Sequence, residues 1–232
     1  LRPPGTARRL LVPGLSTLLM LAILIGLGTW QVHRLAWKRG LLAQIAAAEA
    51  APAAPLPPDP APFAKVSVAG TLRDDLAVLY GVEVRDSRAG PVLGGQLIVP
   101  LQRQDADPVL VDRGWVPAER TEPMDQPHGV VTVQGYVRPA EHAGPFSARD
   151  DAAGRRFYTL DPQTIGTALG LPPVAPFTLV VLGPAPPPGY PDPAHHLPRP
   201  PNDHLQYALT WYGFAVTLLV IFLLYARKVL RP

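Results

Sequence analysis

The residues with the clearest chemical potential are one histidine and a set of indoles, phenols and cations near the two ends of the sequence. Trp30, Arg34, Trp37 and Lys38 fall at i, i+4, i+7 and i+8, which is the spacing of one side of a helix. His204, Tyr207, Ala208 and Trp211 fall at i, i+3, i+4 and i+7, again one side of a helix. A neutral imidazole ligates metals and haem iron, aromatic rings wall a flat apolar macrocycle, and Arg34 and Lys38 match its carboxylates at the water edge. The sequence thus predicts a cofactor-binding constellation with His204 as axial ligand to a haem iron and Trp30, Arg34, Trp37, Lys38, Tyr207 and Trp211 around it, the two stripes facing each other. Aromatic and basic side chains at a membrane boundary also serve as ordinary anchors, and by residue type alone both readings stand.

The elements that must position these residues are two apolar segments. Leu10 to Trp30 and Leu205 to Tyr225 each pass without a charge, and each is long enough to cross a hydrocarbon core of about 30 Å. Arg2, Arg8 and Arg9 precede the first, and Arg227, Lys228 and Arg231 follow the second. The positive-inside rule reads both termini as cytoplasmic and the long central region as exported; Arg34, Lys38 and Arg39 then lie on the exported side, which a loop of this length tolerates. Trp30 to Arg34 offer no small-residue cleavage site, so the first segment reads as a retained anchor rather than a removed signal. The short basic start does not resemble an Arg/Ser-rich transit peptide, which points to a bacterial plasma (inner) membrane, with the lipid bilayer as one partner and a periplasmic central domain.

The predicted organisation is an N-terminal cytoplasmic tail over 1–9, a transmembrane helix over 10–31, a stalk and Pro-rich connector over 32–62, a β-rich domain over 63–183, a Pro-rich return loop over 184–203, a second transmembrane helix over 204–225 and a cytoplasmic tail over 226–232. The fold class is therefore a membrane protein with two transmembrane α-helices flanking an α+β, mainly antiparallel extracytoplasmic domain. Strands are expected at Ala64–Leu72, Leu76–Arg85, Gln96–Leu101, Val109–Val116, Val130–Val137 and Phe177–Leu182, where β-branched residues partly alternate with polar ones. Gly90–Gly95, Gln104–Pro108 and Thr121–Gly129 read as turn-rich joins. One short helix is expected, with Asp161 as cap, Pro162 at its first position and Gly170 at its end.

Composition excludes several classes. The net charge of +3 is small, and the basic excess sits beside the apolar segments rather than in a patch that could track phosphates, so no nucleic-acid partner is expected. The absence of cysteine removes disulfides and thiolate metal sites. There is no GxSxG, HExxH, Walker loop or dinucleotide fingerprint, and an enzyme is not expected. Asp112 with Arg113, and Asp150 and Asp151 with Arg155 and Arg156, are the acidic groupings that could serve as acid and base, but salt bridges and turns account for them as well. His195 and His196 lie in a proline-rich loop without further ligands at metal spacing, and His33, His128 and His142 are scattered.

GLGTWQVHRLAWK (Gly26 to Lys38) and PPNDHLQYALTWYGFA (Pro200 to Ala215) resemble the two signatures of the surfeit locus protein 1 family. The likeness continues in PLPPDP (Pro55 to Pro60), VLVDRGWVP (Val109 to Pro117) and GYVRPAEHAGPF (Gly135 to Phe146), and so spans nearly the whole chain. The resemblance implies a non-enzymatic assembly factor for cytochrome c oxidase that assists delivery of haem a, bound transiently, to the catalytic subunit, with that subunit and haem a synthase as partners. It also implies that His204, which matches the family's histidine, is the haem contact. A scaffold that binds oxidase subunits without holding haem is the alternative. Two departures stand out: Asp112 occupies a position where the family more often has Asn, and Phe157-Tyr158 follow Arg155-Arg156 where a Trp is common.

Overall fold

The computed structural model describes residues 6–87, 90–119, 124–187 and 189–231, the side chains of 6–8 and 87 excepted. Arg2, the Arg8 side chain and the Thr121–Pro123 part of an expected join lie outside the described residues. The chain divides into two compact units: the two ends, up to Gln44 and from Arg199, form one, and Ile45–Pro198 forms the other.

The first unit is built on two helices, α1 (Thr6–Ala50) and the C-terminal helix (His204–Leu230). Both are long and apolar enough to cross a membrane, and only 6% and 11% of their most apolar stretches are buried, unlike the core helix of a soluble domain. α1 continues unbroken from its apolar half into the segment after Trp30, as expected of a run that is free of Pro until Pro52 and rich in helix formers. The helices touch in antiparallel order: Gly14 lies against Phe222, Gly28 against Tyr212, and Gln31 against His204. Gly28 makes the central contact possible, since a Cβ there would stand 2.6 Å from the Tyr212 ring, and Thr29 Oγ1 lies 3.2 Å from the Tyr212 hydroxyl.

The second unit is one eight-stranded sheet with a short helix. Its strands are β1 (Ala54–Pro55), β2 (Lys65–Leu72), β3 (Val78–Ser87), β4 (Gly90–Arg103), β5 (Ala106–Pro117), β6 (Val130–Pro139), β7 (Arg156–Phe157) and β8 (Phe177–Val181), and its helix is α2 (Pro162–Ala168). The order is β1-β2-β6-β8-β5-β4-β3-β7, and an additional β2–β4 pairing at Thr71–Gln102 and Leu72–Leu101 returns five of the strands on themselves as a closed ring. Alternate residues of these strands, Val66, Val68, Leu101, Val109, Val111, Val133, Val137 and Leu179, form the main core. On the other face of β3, β4 and β5, Val78, Ile98 and Leu110 pack with Phe157, Leu160 and Ile165, the last from α2. β5 is buried from Pro108 to Pro117 because both of its faces are covered.

The sheet is mainly antiparallel, as expected, but mixed. β8 inserts between β5 and β6, pairing antiparallel with β6 and parallel with β5; β1 with β2 and β3 with β7 are parallel too. A strand inserted between two oppositely directed neighbours must run parallel to one of them. The helix α2 is capped as the sequence predicts: Asp161 accepts from Gln163 N at 3.0 Å, and Gly170 (φ +68°) ends it with Leu171 N donating to Gly166 O.

The expected join at Gly90–Gly95 is corrected. Gly90–Gly95 is not a turn but the start of β4, and Gly94 serves close packing there: a Cβ would collide with Val116 O and the Trp115 ring. The Pro-rich stretches on either side of the domain are partly ordered into it, Ala54–Pro55 as β1 and the return segment through bridges of Asp192 to Trp115 and Ala194 to Leu182. Replacing Gly94 by Ala should destabilise the domain by about 1–3 kcal/mol, as overpacking does, seen as a lowered thermal midpoint of the purified chain; an unchanged midpoint would contradict the close approach of Trp115.

Candidate functional site

The seam between the two long helices is drawn by residues one turn apart. Leu24, Gly28, Gln31 and Leu35 are the buried positions of this part of α1, at i, i+4, i+7 and i+11. On the C-terminal helix, here α3, Ala208 and Ala215 are buried, and His204 and Trp211 share their stripe with partial burial. Small residues at 28, 208 and 215 let the backbones approach, which is how apolar helices pair where lipid offers no hydrophobic gain.

Gln31 is the polar exception in that seam, only 9% exposed. Its Oε1 lies 2.7 Å from Nδ1 of His204, the first residue of α3. An amide oxygen only accepts, so Nδ1 donates, and a neutral ring held in this way keeps the Nε2 lone pair. This is the arrangement by which proteins prepare a histidine as a metal or haem ligand: one ring nitrogen is fixed by a hydrogen bond, and the other is left basic and directed.

The remaining expected site residues do not all join it. Trp30 and Trp37 are 53% and 54% exposed, and the Arg34 guanidinium lies 4.4 Å from the Trp37 ring centroid rather than against α3. At 100° per residue Trp30 and Trp37 project well round α1 from Gly28, Gln31 and Leu35, with Arg34 between those indoles and the seam. The expectation that the two stripes face each other is therefore corrected: the α1 stripe facing α3 is the neighbouring one, centred on Gln31. Lys38 is half-buried on the flank, Tyr207 is exposed, and the Trp211 ring packs edge-on to Phe214 at 6.2 Å. Gln31 was missed because attention to indoles and cations passes over a neutral amide. Its signal is that it continues the period of Leu24, Gly28 and Leu35 as the one polar member.

A sequence model of the SURF1 family matches residues 18–216, which includes most of α1, the first half of α3 and everything between them. The chain is similar to a SURF1-like protein of Rickettsia bellii, 31% identical over 93% of this chain and 91% of that protein. It is also similar to Surfeit locus protein 1 of Homo sapiens, 30% identical over 82% of this chain and 69% of that protein. The chain belongs to the SURF1 family.

Other candidate groups in this SURF1-family chain have structural partners. His195 Nδ1 lies 3.2 Å from Gly183 O with Nε2 3.5 Å from Asp192, and His196 Nδ1 lies 2.7 Å from Leu197 O. Both imidazoles border an open cavity of about 380 Å³ with Lys65 and Gln134, and no cluster of three His, Asp or Glu able to hold a metal occurs among the described residues. His33, His128 and His142 are exposed. Asp150 accepts from Tyr158 N at 2.6 Å and Asp151 from Gly154 N at 2.9 Å, so both order a turn. Arg113 is buried between Asp74 at 3.0 Å and Asp125 at 3.1 Å.

Asp112 differs from these. Its side chain is buried and accepts one hydrogen bond, from Gly114 N at 3.0 Å, beside a cavity shared with Arg85, Tyr136 and Arg138. Burial pushes its carboxyl up to about 6, against the pull of Arg138 and of the Gly114 N–H. The folded state therefore holds this proton more tightly than the unfolded chain does. The carboxyl costs nothing while protonated in both states, and it lowers stability as pH rises from about 4 through 6, with the full cost present above 6. Asp112→Asn keeps an acceptor for Gly114 and removes the charge. It should raise stability above pH 7 by up to about 3 kcal/mol and change little near pH 4, as measured by thermal unfolding at the two pH values. Equal effects at both would contradict a buried, proton-binding carboxyl.

Proposed function

We propose that this chain is a membrane-held assembly factor for cytochrome c oxidase that contacts haem a through His204 while the haem passes toward the catalytic subunit, haem a synthase being the upstream partner. Family membership supports the assembly role, and the His204–Gln31 hydrogen bond is the observation that carries the haem contact. Bound haem a supplies an iron with affinity for an imidazole nitrogen and two propionates at its edge. His204 fits that requirement, since its Nδ1 is engaged and its Nε2 is available. Gln31 fixes the ring and the tautomer. A single protein nitrogen holds less firmly than two would, which suits a carrier that must release.

The cation and indole stripe of α1 fits the same haem less well, because Trp30 and Trp37 are exposed and the Arg34 guanidinium lies over the Trp37 ring rather than against α3. That placement favours a second role for these three: contact with headgroups or with a neighbouring subunit's helix. The scaffold reading, in which oxidase subunits are bound and haem never is, draws its support from this outward face. In both readings the termini lie in the cytoplasm of a bacterial cell and the sheet domain is periplasmic, as the flanking Arg9, Arg227, Lys228 and Arg231 favour. No catalytic step is assigned to the chain.

Purification from cells that make haem a separates the readings. His204→Ala should abolish or blue-shift the visible absorbance of co-purifying haem, and Gln31→Leu should weaken haem retention by about 10–100-fold, the usual cost of losing a group that orients a ligand. Joint replacement of Trp30, Arg34 and Trp37 by Ala should reduce recovery of the catalytic subunit while leaving the absorbance in place. An unchanged spectrum in His204→Ala would remove this residue from the account and leave the scaffold.

A further inference from the structure

The sheet of the globular unit ends in an incompletely covered strand. β7 pairs with β3 only at Leu79 and Tyr80, and from Val82 to Asp86 that edge of β3 has no strand neighbour among the described residues. A register shift between Tyr80 and Glu83, with Gly81 at φ +69°, carries this part of β3 out of line with β7. Val82 and Val84 are 53% and 59% exposed, and Leu93, directly across from Val84 on β4, is 48% exposed. Glu83 O accepts from the Trp115 indole N–H at 3.3 Å; an edge of this kind, apolar on one face and without a paired strand, is a template for another strand.

Its charges select which strand. Glu83 and Arg85 share one face, joined in the chain by a 2.7 Å ion pair, and Arg85 also reaches Asp192 at 2.6 Å. Two copies of β3 can pair antiparallel about a two-fold axis through residue 83, 84 or 85. An axis at 83 sets glutamate directly opposite glutamate, and one at 85 sets arginine opposite arginine, both unfavourable. The axis at 84 sets valine opposite valine and places each Glu83 opposite the Arg85 of the other copy. The four charges then alternate in sign, and both in-chain ion pairs are retained.

We propose that the free edge of β3 is a self-association surface on which a second copy of this chain pairs antiparallel, centred on Val84. Five residues a side bury little area, so the dimer is reversible, and confinement of both copies to one membrane raises their effective concentration. The two Val84–Leu93 pairs become one continuous apolar patch.

The chain contains no cysteine, which makes the test direct. Residues directly opposite in an antiparallel pair have Cα atoms about 4.5–5.5 Å apart, within disulfide range. Full-length Val84→Cys in liposomes should form a disulfide-linked dimer under mild oxidation, several-fold more than Val130→Cys, a residue 77% exposed on β6. Adding Glu83→Arg, which leaves Arg85 free to hold Asp192, should return the yield to the control level. Mixing that double variant with one carrying Val84→Cys and Arg85→Glu makes every facing pair opposite in sign again and should restore the cross-link. A Val84→Cys yield no higher than that of Val130→Cys, or one indifferent to Glu83→Arg, overturns the proposal.

Discussion

The hydrogen bond between Gln31 and His204 is the constraint from which the functional reading follows. Two residues 173 positions apart meet only if the two long helices pair antiparallel and in one register. That register is set by size rather than by polarity: Gly28 admits the Tyr212 ring, and Ala208 and Ala215 keep the α3 face flat. Once the helices are seated, a neutral amide in an apolar seam needs a partner, and the imidazole at the start of α3 provides it. The same bond that satisfies Gln31 also orients the His204 ring, so a packing requirement and the setting of an imidazole are one interaction.

The two units solve different solvation problems. The helices leave their apolar surface outside, with Leu11, Leu15, Leu18, Leu219 and Leu223 among the exposed residues, and bury only a narrow seam. The sheet domain does the reverse, closing five strands on a core of valines and leucines and covering one outer face with α2 and Phe157. Its exceptions to burial are local. Asp112 sits inside with a single hydrogen bond, and Val82, Val84 and Leu93 sit outside on an edge. Each departs from the pattern in which polar groups are paired and apolar groups covered, and each therefore marks a place where protons or partners have leverage.

Much of the architecture was legible in the residues. The uncharged runs gave both long helices, the β-branched segments located six of the eight strands, and Asp161, Pro162 and Gly170 bounded α2. What escaped was decided by long-range pairing. Gly90–Gly95 carries turn composition but lies in β4, where Gly94 is needed because Trp115 crosses the strand there. The parallel pairing of β8 with β5 has no local signal, since it arises from insertion between strands already formed. The two-residue strands β1 and β7 are too short for any periodicity. At the candidate site the helical spacing correctly grouped Trp30, Arg34 and Trp37 on one side of α1, yet a period of 3.6 does not say which side meets the partner helix. Gly28 and Gln31 answered that question, and neither is a residue usually searched for chemistry.

Which nitrogen of His204 carries the proton held by Gln31 can be read directly by ¹⁵N NMR of that imidazole in the full chain. With the Gln31 oxygen as acceptor, the expected tautomer is protonated at Nδ1, and the preference should be lost when Gln31 is replaced by Leu. A His204 that carries its proton on Nε2 in the unaltered chain would contradict this arrangement, because Nδ1 could then not donate to Gln31 and the proposed haem contact would lose its free nitrogen.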